Sequence, residues 1–162
     1  MKKSFKYMVM ILVVALALVM LSACGGQRQL TGPAPDEGAT VYEVSAVCNI
    51  EKADNVLRVT AEECTLMNGV VLEFSVNTYD GIKLASKQYV KASDNMYAEF
   101  VIDPAWSGKI YGSVVCQPDS VVSQEKEVDQ AYGKKFQNIK GEQVLFDMNG
   151  NVFAAISEFI EL

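Results

Sequence analysis

The chain predicts an all-β fold, an antiparallel two-sheet sandwich of about seven to nine short strands carried on residues 40–162. Three observations predict it. Short Val-rich segments alternate apolar and polar residues with a period of two. The dipeptides Asp80-Gly81 and Asn149-Gly150, which supply the positive φ of tight hairpin turns, stand between such segments. Past the leader, no window holds a sustained apolar stripe at helical spacing.

Taken in order, "TVYEVSAVCNI" and "NVLRVTAEE" are the first strands. In the second, Leu57, Val59 and Ala61 fall on one face and Arg58, Thr60 and Glu62 on the other, the pattern of a half-buried strand. "GVVLEFSVNTYDGIKLASKQYVKA" predicts two strands around Asp80-Gly81, and "MYAEFVI" and "KIYGSVVC" predict two more on either side of "DPAWSG". "EQVLFDM" and "NVFAAISEFIEL" flank Asn149-Gly150, and the last of these is expected to be one strand that pairs within a sheet and does not fray. "SQEKEVDQAYGKKF" can form a turn or two of helix.

The first 23 residues have a different character. Lys2, Lys3 and Lys6 precede the apolar run "YMVMILVVALALVMLSA", the profile of a secretory signal. The run ends in "LSAC", Leu21 to Cys24, which resembles the lipobox of bacterial lipoproteins: an apolar residue, two small residues, then a cysteine. The resemblance implies cleavage before Cys24 and a diacylglyceryl group on its thiol, with fatty acids such as palmitate. It therefore implies anchorage at the extracytoplasmic face of a bacterial cell membrane. Gly25 stands where inner-membrane retention is associated with aspartate, so in a Gram-negative host the expected site is the outer membrane. Residues 24–39, rich in Gly, Pro and polar side chains, read as the lipidated cysteine and a flexible linker.

Charge narrows the partners. The full chain carries a formal net charge of −6, and the leader holds three lysines and no acid, so the mature chain is more acidic still. Nucleic acid and anionic lipid surfaces both reward Lys and Arg clusters, so nucleic acid is not expected as a partner. The acids are scattered, as on an ordinary solvated surface.

The segments "LRVTAEECTLMNGVVLEFSV", "MYAEFVID", "SGKIYGSVVCQP" and "AYGKKFQNIKG" resemble, in that order, the immunoglobulin- or fibronectin-III-like domains of bacterial surface lipoproteins. Leu66-Met67-Asn68-Gly69 stands at the turn after the second strand, without the proline usual there, and Ser107-Gly108-Lys109-Ile110 at the entry to a later core strand. Ile110 occupies a place where an aromatic is usual, with Tyr111 beside it, so either can face inward. The resemblance implies an immunoglobulin-like sandwich used for adhesion or assembly, and a fold alone does not give function.

Beyond Cys24 there are three cysteines, Cys48, Cys64 and Cys116, in a compartment that permits disulfides. With strand directions alternating as the resemblance implies, Cys64 and Cys116 reach the same end of the sandwich. Two outcomes stay open: a Cys64–Cys116 disulfide, or free thiols acting as small buried hydrophobes.

The chain has no histidine, which removes Ser-His-Asp and Cys-His catalysis and His-ligated metals together. No C-x-x-C or D-x-D-x-D-G spacing occurs, and no metal or cofactor is expected. Carboxylate chemistry survives in principle, with Glu62, Glu63, Asp94 and Glu99 as unexceptional candidates. Candidate contact residues are aromatic: Trp106 in "DPAWSG", Tyr79 beside the Asp80-Gly81 turn, and Tyr132, each either packed or presented to a partner. The sequence thus predicts a membrane-anchored, non-catalytic binding, assembly or adhesion module with a protein or cell-envelope partner. The alternatives are a small-molecule or lipid carrier and a carboxylate-based surface hydrolase.

Overall fold

The computed structural model describes residues 32–162. The leader and Cys24 lie outside the described residues.

Eleven strands and one short helix follow in order. They are β1 (Tyr42–Glu43), β2 (Val47–Ala53), β3 (Val56–Glu62), β4 (Val71–Thr78), β5 (Lys83–Val90), β6 (Met96–Val101) and β7 (Lys109–Cys116). Helix α1 (Lys126–Tyr132) comes next, then β8 (Ile139–Lys140), β9 (Val144–Phe146), β10 (Asn151–Ile156) and β11 (Ile160–Glu161). The domain is mostly β and antiparallel, as the alternating segments predict. A three-stranded sheet has the order β2-β3-β6, and a six-stranded sheet has the order β5-β4-β7-β10-β9, with β11 also paired to β7.

Period-two alternation explains the layering. In β3, Leu57, Val59 and Ala61 are buried while Arg58 and Glu62 face solvent. In β4, Leu72, Phe74 and Val76 point into the same core, and β7 adds Ile110 and Val114. The two sheets touch closely at Gly112, where an added Cβ would stand 2.9 Å from Val59 Cγ1 and 3.3 Å from Ile50 Cβ. The outer face of β4 and β7 has a small polar floor: Ser75 Oγ and Ser113 Oγ lie 2.7 Å apart, and Asn77 Nδ2 donates to both, at 2.9 and 3.1 Å. This closed triad satisfies buried hydroxyl and amide groups that would otherwise lose their hydration.

Helix α1 forms where a helical turn or two is expected. Val128 and Tyr132, four residues apart, form its buried stripe, and Glu127 and Asp129 in the first turn suit the positive end of the helix. Gly133, at φ 79°, ends it.

Three features go beyond the sequence reading. The parallel pairing of β1 with β8, with Tyr42 opposite Ile139, joins segments nearly a hundred residues apart, a contact that local alternation does not encode. The expected linker to residue 39 is only partly a linker: Asp36 N–H donates to Asn138 Oδ1 at 2.9 Å, and its carboxylate accepts from Gln137 and Asn138. The packed domain therefore begins before residue 40. The C-terminal segment is also two strands rather than one, because pairing breaks between Ile156 and Ile160.

Candidate functional site

That break builds the most distinctive surface of the domain. Ile156 pairs with Ser113, Ser157 N–H donates to Gly112 O at 3.0 Å, and Gly112 N–H donates to Ser157 Oγ at 2.9 Å. Pairing resumes with Ile160 opposite Ile110. Glu158 and Phe159 together therefore oppose the single residue Tyr111, which is a β-bulge, and a bulge re-aims a side chain. Phe159 turns outward, with its ring 5.4 Å from Tyr111 in an edge-on arrangement and 5.3 Å from Tyr79.

Tyr79 is held there by backbone bonds. Its N–H donates to Lys109 O at 2.9 Å, and the adjoining turn is closed by Gly81 N–H to Thr78 O at 2.8 Å and Thr78 N–H to Ile82 O at 2.9 Å. Gly81 has φ +81°, the conformation that the Asp-Gly dipeptide supplies without strain. Around this trio the apolar exposure is high: Tyr79 and Ile82 are 65% exposed, Ile156 63% and Phe159 48%. Aromatic rings with their faces open and hydroxyls at the rim offer contact area at low entropy cost. The cluster presents three aromatic rings, two of them carrying phenolic hydroxyls.

The cluster has a definite address in the fold. It lies where β4 ends and β7 begins. The chain enters the domain at the other end, at Gly32, where an added Cβ would meet Asn151 Oδ1 at 2.5 Å and Phe146 Cβ at 3.4 Å. Those contacts sit where β9 ends and β10 begins. The eight residues of β4 separate the two ends by on the order of 25 Å.

The other candidate residues divide. Trp106 is half-buried against the core, in the loop joining β6 to β7, with its backbone N–H on Asp103 O at 2.9 Å; it therefore lies at the same end as Tyr79. Tyr132 does not present a ring to solvent. It is 1% exposed, packs edge-on to Phe136 with ring centres 5.5 Å apart and tilted against Tyr42 at 5.3 Å, and accepts Met67 N–H at 2.7 Å. The reason is its position four residues after Val128 on the one buried stripe of α1. Burial pushes its phenol up to about 12.

Cys48, Cys64 and Cys116 are free, buried thiols in this structure. Burial is the main cause that raises all three above their ordinary range, and Cys48 reaches about 12. Cys64 also contributes to raising Cys116. The acids are engaged singly: Glu99 pairs with Arg58 at 2.6 Å, Asp94 with the buried Lys91 at 2.9 Å, and Glu62 accepts from Asn49 at 3.5 Å. Glu63 sits past the end of β3 at φ 51°. Among the described residues, no group of three His, Cys, Asp or Glu side chains is placed to hold a metal, and no helix is long and apolar enough to cross a membrane.

Tyr111 and Phe159 complete the site, and the sequence reading does not assign them to it. The structure settles the inward position for Ile110, fully buried, and leaves Tyr111 outside. A signal for Phe159 exists in the chain: Phe159 and Ile160 are adjacent and both apolar, which a regular half-buried strand does not accommodate on one face. Comparison with protein-family models, with curated proteins and with solved structures finds no match to this chain.

Proposed function

We propose that this chain is a lipid-anchored, extracytoplasmic binding or assembly module of a bacterial envelope, non-catalytic, whose contact surface is the Tyr79–Tyr111–Phe159 cluster. The single observation that carries this reading is the position of the cluster: a bulge turns an aromatic group outward at the end of the domain opposite the chain's entry. Anchorage through Cys24 points that end away from the membrane, toward a protein or another envelope component. The immunoglobulin- or fibronectin-III-like reading of the fold belongs to the same proposal. Of the seven principal strands (β2 to β7, with β10), the first, second and fifth share one sheet, and the fourth, third, sixth and seventh are neighbours in the other.

A carrier of small molecules or lipid needs interior volume. The approach of the sheets at Gly112 and Val59 leaves no room there for even a methyl group, which favours the contact module. The carboxylate hydrolase is disfavoured by the pairing of its candidate acids with Arg58, Lys91 and Asn49 instead of with each other.

The test is site-specific photo-crosslinking in cells that make the full chain. A photoreactive phenylalanine analogue at position 79 or 159 should give one discrete adduct. The same group at Tyr97, 56% exposed on the outer face of the three-stranded sheet, should not. Equal crosslinking from both faces, or none from positions 79 and 159, overturns the proposed surface. Cys24→Ser separately tests the anchor, since a variant still processed and membrane-bound removes that half of the proposal.

A further inference from the structure

The opposite end of the domain, around Gly32, has a composition of its own. Met148, at the tip between β9 and β10, is 98% exposed. It shares a cleft of about 390 Å³ with Pro118, Asp119, Lys134, Lys135 and Asn149. Two residues beyond Asp119, Val121 is 93% exposed, and Val122 follows at 48%. Asn151 ties this end together: its N–H donates to Lys135 O at 2.8 Å, while its side chain lies against Gly32, where the chain enters the domain. The carboxylate of Asp147 is turned back onto the Asn149 and Gly150 N–H groups, at 2.7 and 3.1 Å, so the charged side chains that line the cleft beside Met148 are Lys134 and Lys135, with Asp119 as a single acid among them.

We infer that this end, with Met148 and Val121 as apolar tips and Lys134 and Lys135 beside them, rests on the lipid bilayer to which the chain is anchored. The inference relies on lipidation of Cys24, as proposed above, and adds an orientation to it. The occupant follows from chain length. Eight residues lead from Cys24 to Gly32, and fully extended they span at most about 28 Å. Whatever surface surrounds Gly32 is therefore confined near the headgroups. That confinement makes docking intramolecular, at an effective concentration of about millimolar, so a small surface suffices where a free protein would not bind.

The chemistry matches the layer. Exposed Met and Val side chains reach the boundary between headgroups and acyl chains, and lysine stems carry their ammonium groups to the phosphates. The acidity of the rest of the chain opposes flat adsorption on anionic lipid, so contact is restricted to this end. The aromatic cluster then stands on the far side of the domain, free for its partner.

The single tryptophan supplies the control, because Trp106 lies at the far end. Full-length chain made in a lipoprotein-processing host is reconstituted in vesicles of phosphatidylethanolamine and phosphatidylglycerol, with or without brominated acyl chains. In parallel, the mature chain from Cys24 onward is coupled through that thiol to maleimide-bearing lipid in the same vesicles, which supplies an anchor whether or not cells attach one. Wild type should show little quenching of Trp106. In Met148→Trp, the fluorescence added by the new ring should fall by about two-fold or more in brominated vesicles, as expected for a ring at the headgroup–acyl boundary. Lys134→Glu with Lys135→Glu should relieve that quenching.

Failure of the cell-made chain to float with vesicles, while the coupled chain is quenched, removes the Cys24 anchor and keeps the docking face. A chain that floats, or is coupled, and leaves Met148→Trp unquenched overturns the docking face. So does concentration-dependent burial of that tryptophan in detergent, which assigns the face to a second copy of the chain.

Discussion

The phenolic oxygen of Tyr132 accepts the backbone N–H of Met67 at 2.7 Å, so helix α1 is pinned to the turn between β3 and β4. The ring is 1% exposed, and the donor it satisfies has no strand partner. Tyr132→Phe keeps the packing against Phe136 and Tyr42 and removes only the acceptor. Leaving a buried N–H unpaired costs about 1–3 kcal/mol, and the variant should lose that much stability in urea unfolding with an unchanged denaturant slope. An unchanged midpoint would show that water replaces the hydroxyl.

Gly112→Ala tests how tightly the sheets meet. The added methyl would stand 2.9 and 3.0 Å from the two Val59 methyls, in a strand where the core offers little slack. Overpacking of this kind costs about 1–3 kcal/mol. Gly112→Ala combined with Val59→Ala should recover part of that loss, because the second change vacates the clashing volume. A double variant no better than the sum of the singles would place the strain elsewhere.

Much of this architecture is legible in the chain, and the exceptions have physical causes. The alternation of Leu57, Val59 and Ala61 and the two Gly-containing turns place the hairpins correctly, because both are local signals. The β1–β8 pair and the docking of Asp36 on Asn138 are non-local and rest on two or three hydrogen bonds, so no local period announces them. The candidate site is half legible. Tyr79 beside its turn is found from sequence, whereas Phe159 depends on a bulge, whose extra residue shifts every later side chain to the other face. Tyr132 lies on a helix too short for its apolar period to identify a buried face.

The buried thiols set a pH dependence. Burial raises Cys48 from 9.0 to about 12, so above pH 9 the unfolded chain releases a proton that the folded chain keeps. The unfolded state then binds fewer protons, and stability falls as pH rises from about 9 towards 12, by up to about 1.4 kcal/mol per pH unit for this thiol. Its contribution is intact below pH 9. Unfolding midpoints at pH 8 and 10.5 should diverge in the wild type and diverge less in Cys48→Ala. Equal pH slopes in the two proteins would mean that Cys48 titrates normally in the folded state.

The C-terminal strands should be indispensable to the fold, and the reason is where β10 sits. It is an interior strand of the six-stranded sheet, paired with β7 over Phe153 to Ile156 and with β9 over Asn151 to Phe153. It also contributes Phe153 and Ala155, both fully buried, to the core between the sheets. A chain ending at Gly150 loses those side chains, strands β9, and leaves β7 as an open edge with unpaired N–H and C=O groups, a template for edge-to-edge association. Loss of a buried Phe alone costs about 3–5 kcal/mol, a large share of the 5–15 kcal/mol that stabilises an ordinary domain. The shortened chain should therefore show no cooperative thermal transition by circular dichroism, and should aggregate at concentrations where the full chain remains dispersed. Ending the chain at Glu158 instead removes only Phe159, β11 and the half-buried Leu162, and it should lower the melting temperature by a few degrees while preserving cooperativity. If the chain ending at Gly150 melts cooperatively at the parent's temperature, β10 contributes nothing to the core and the six-stranded sheet closes without it.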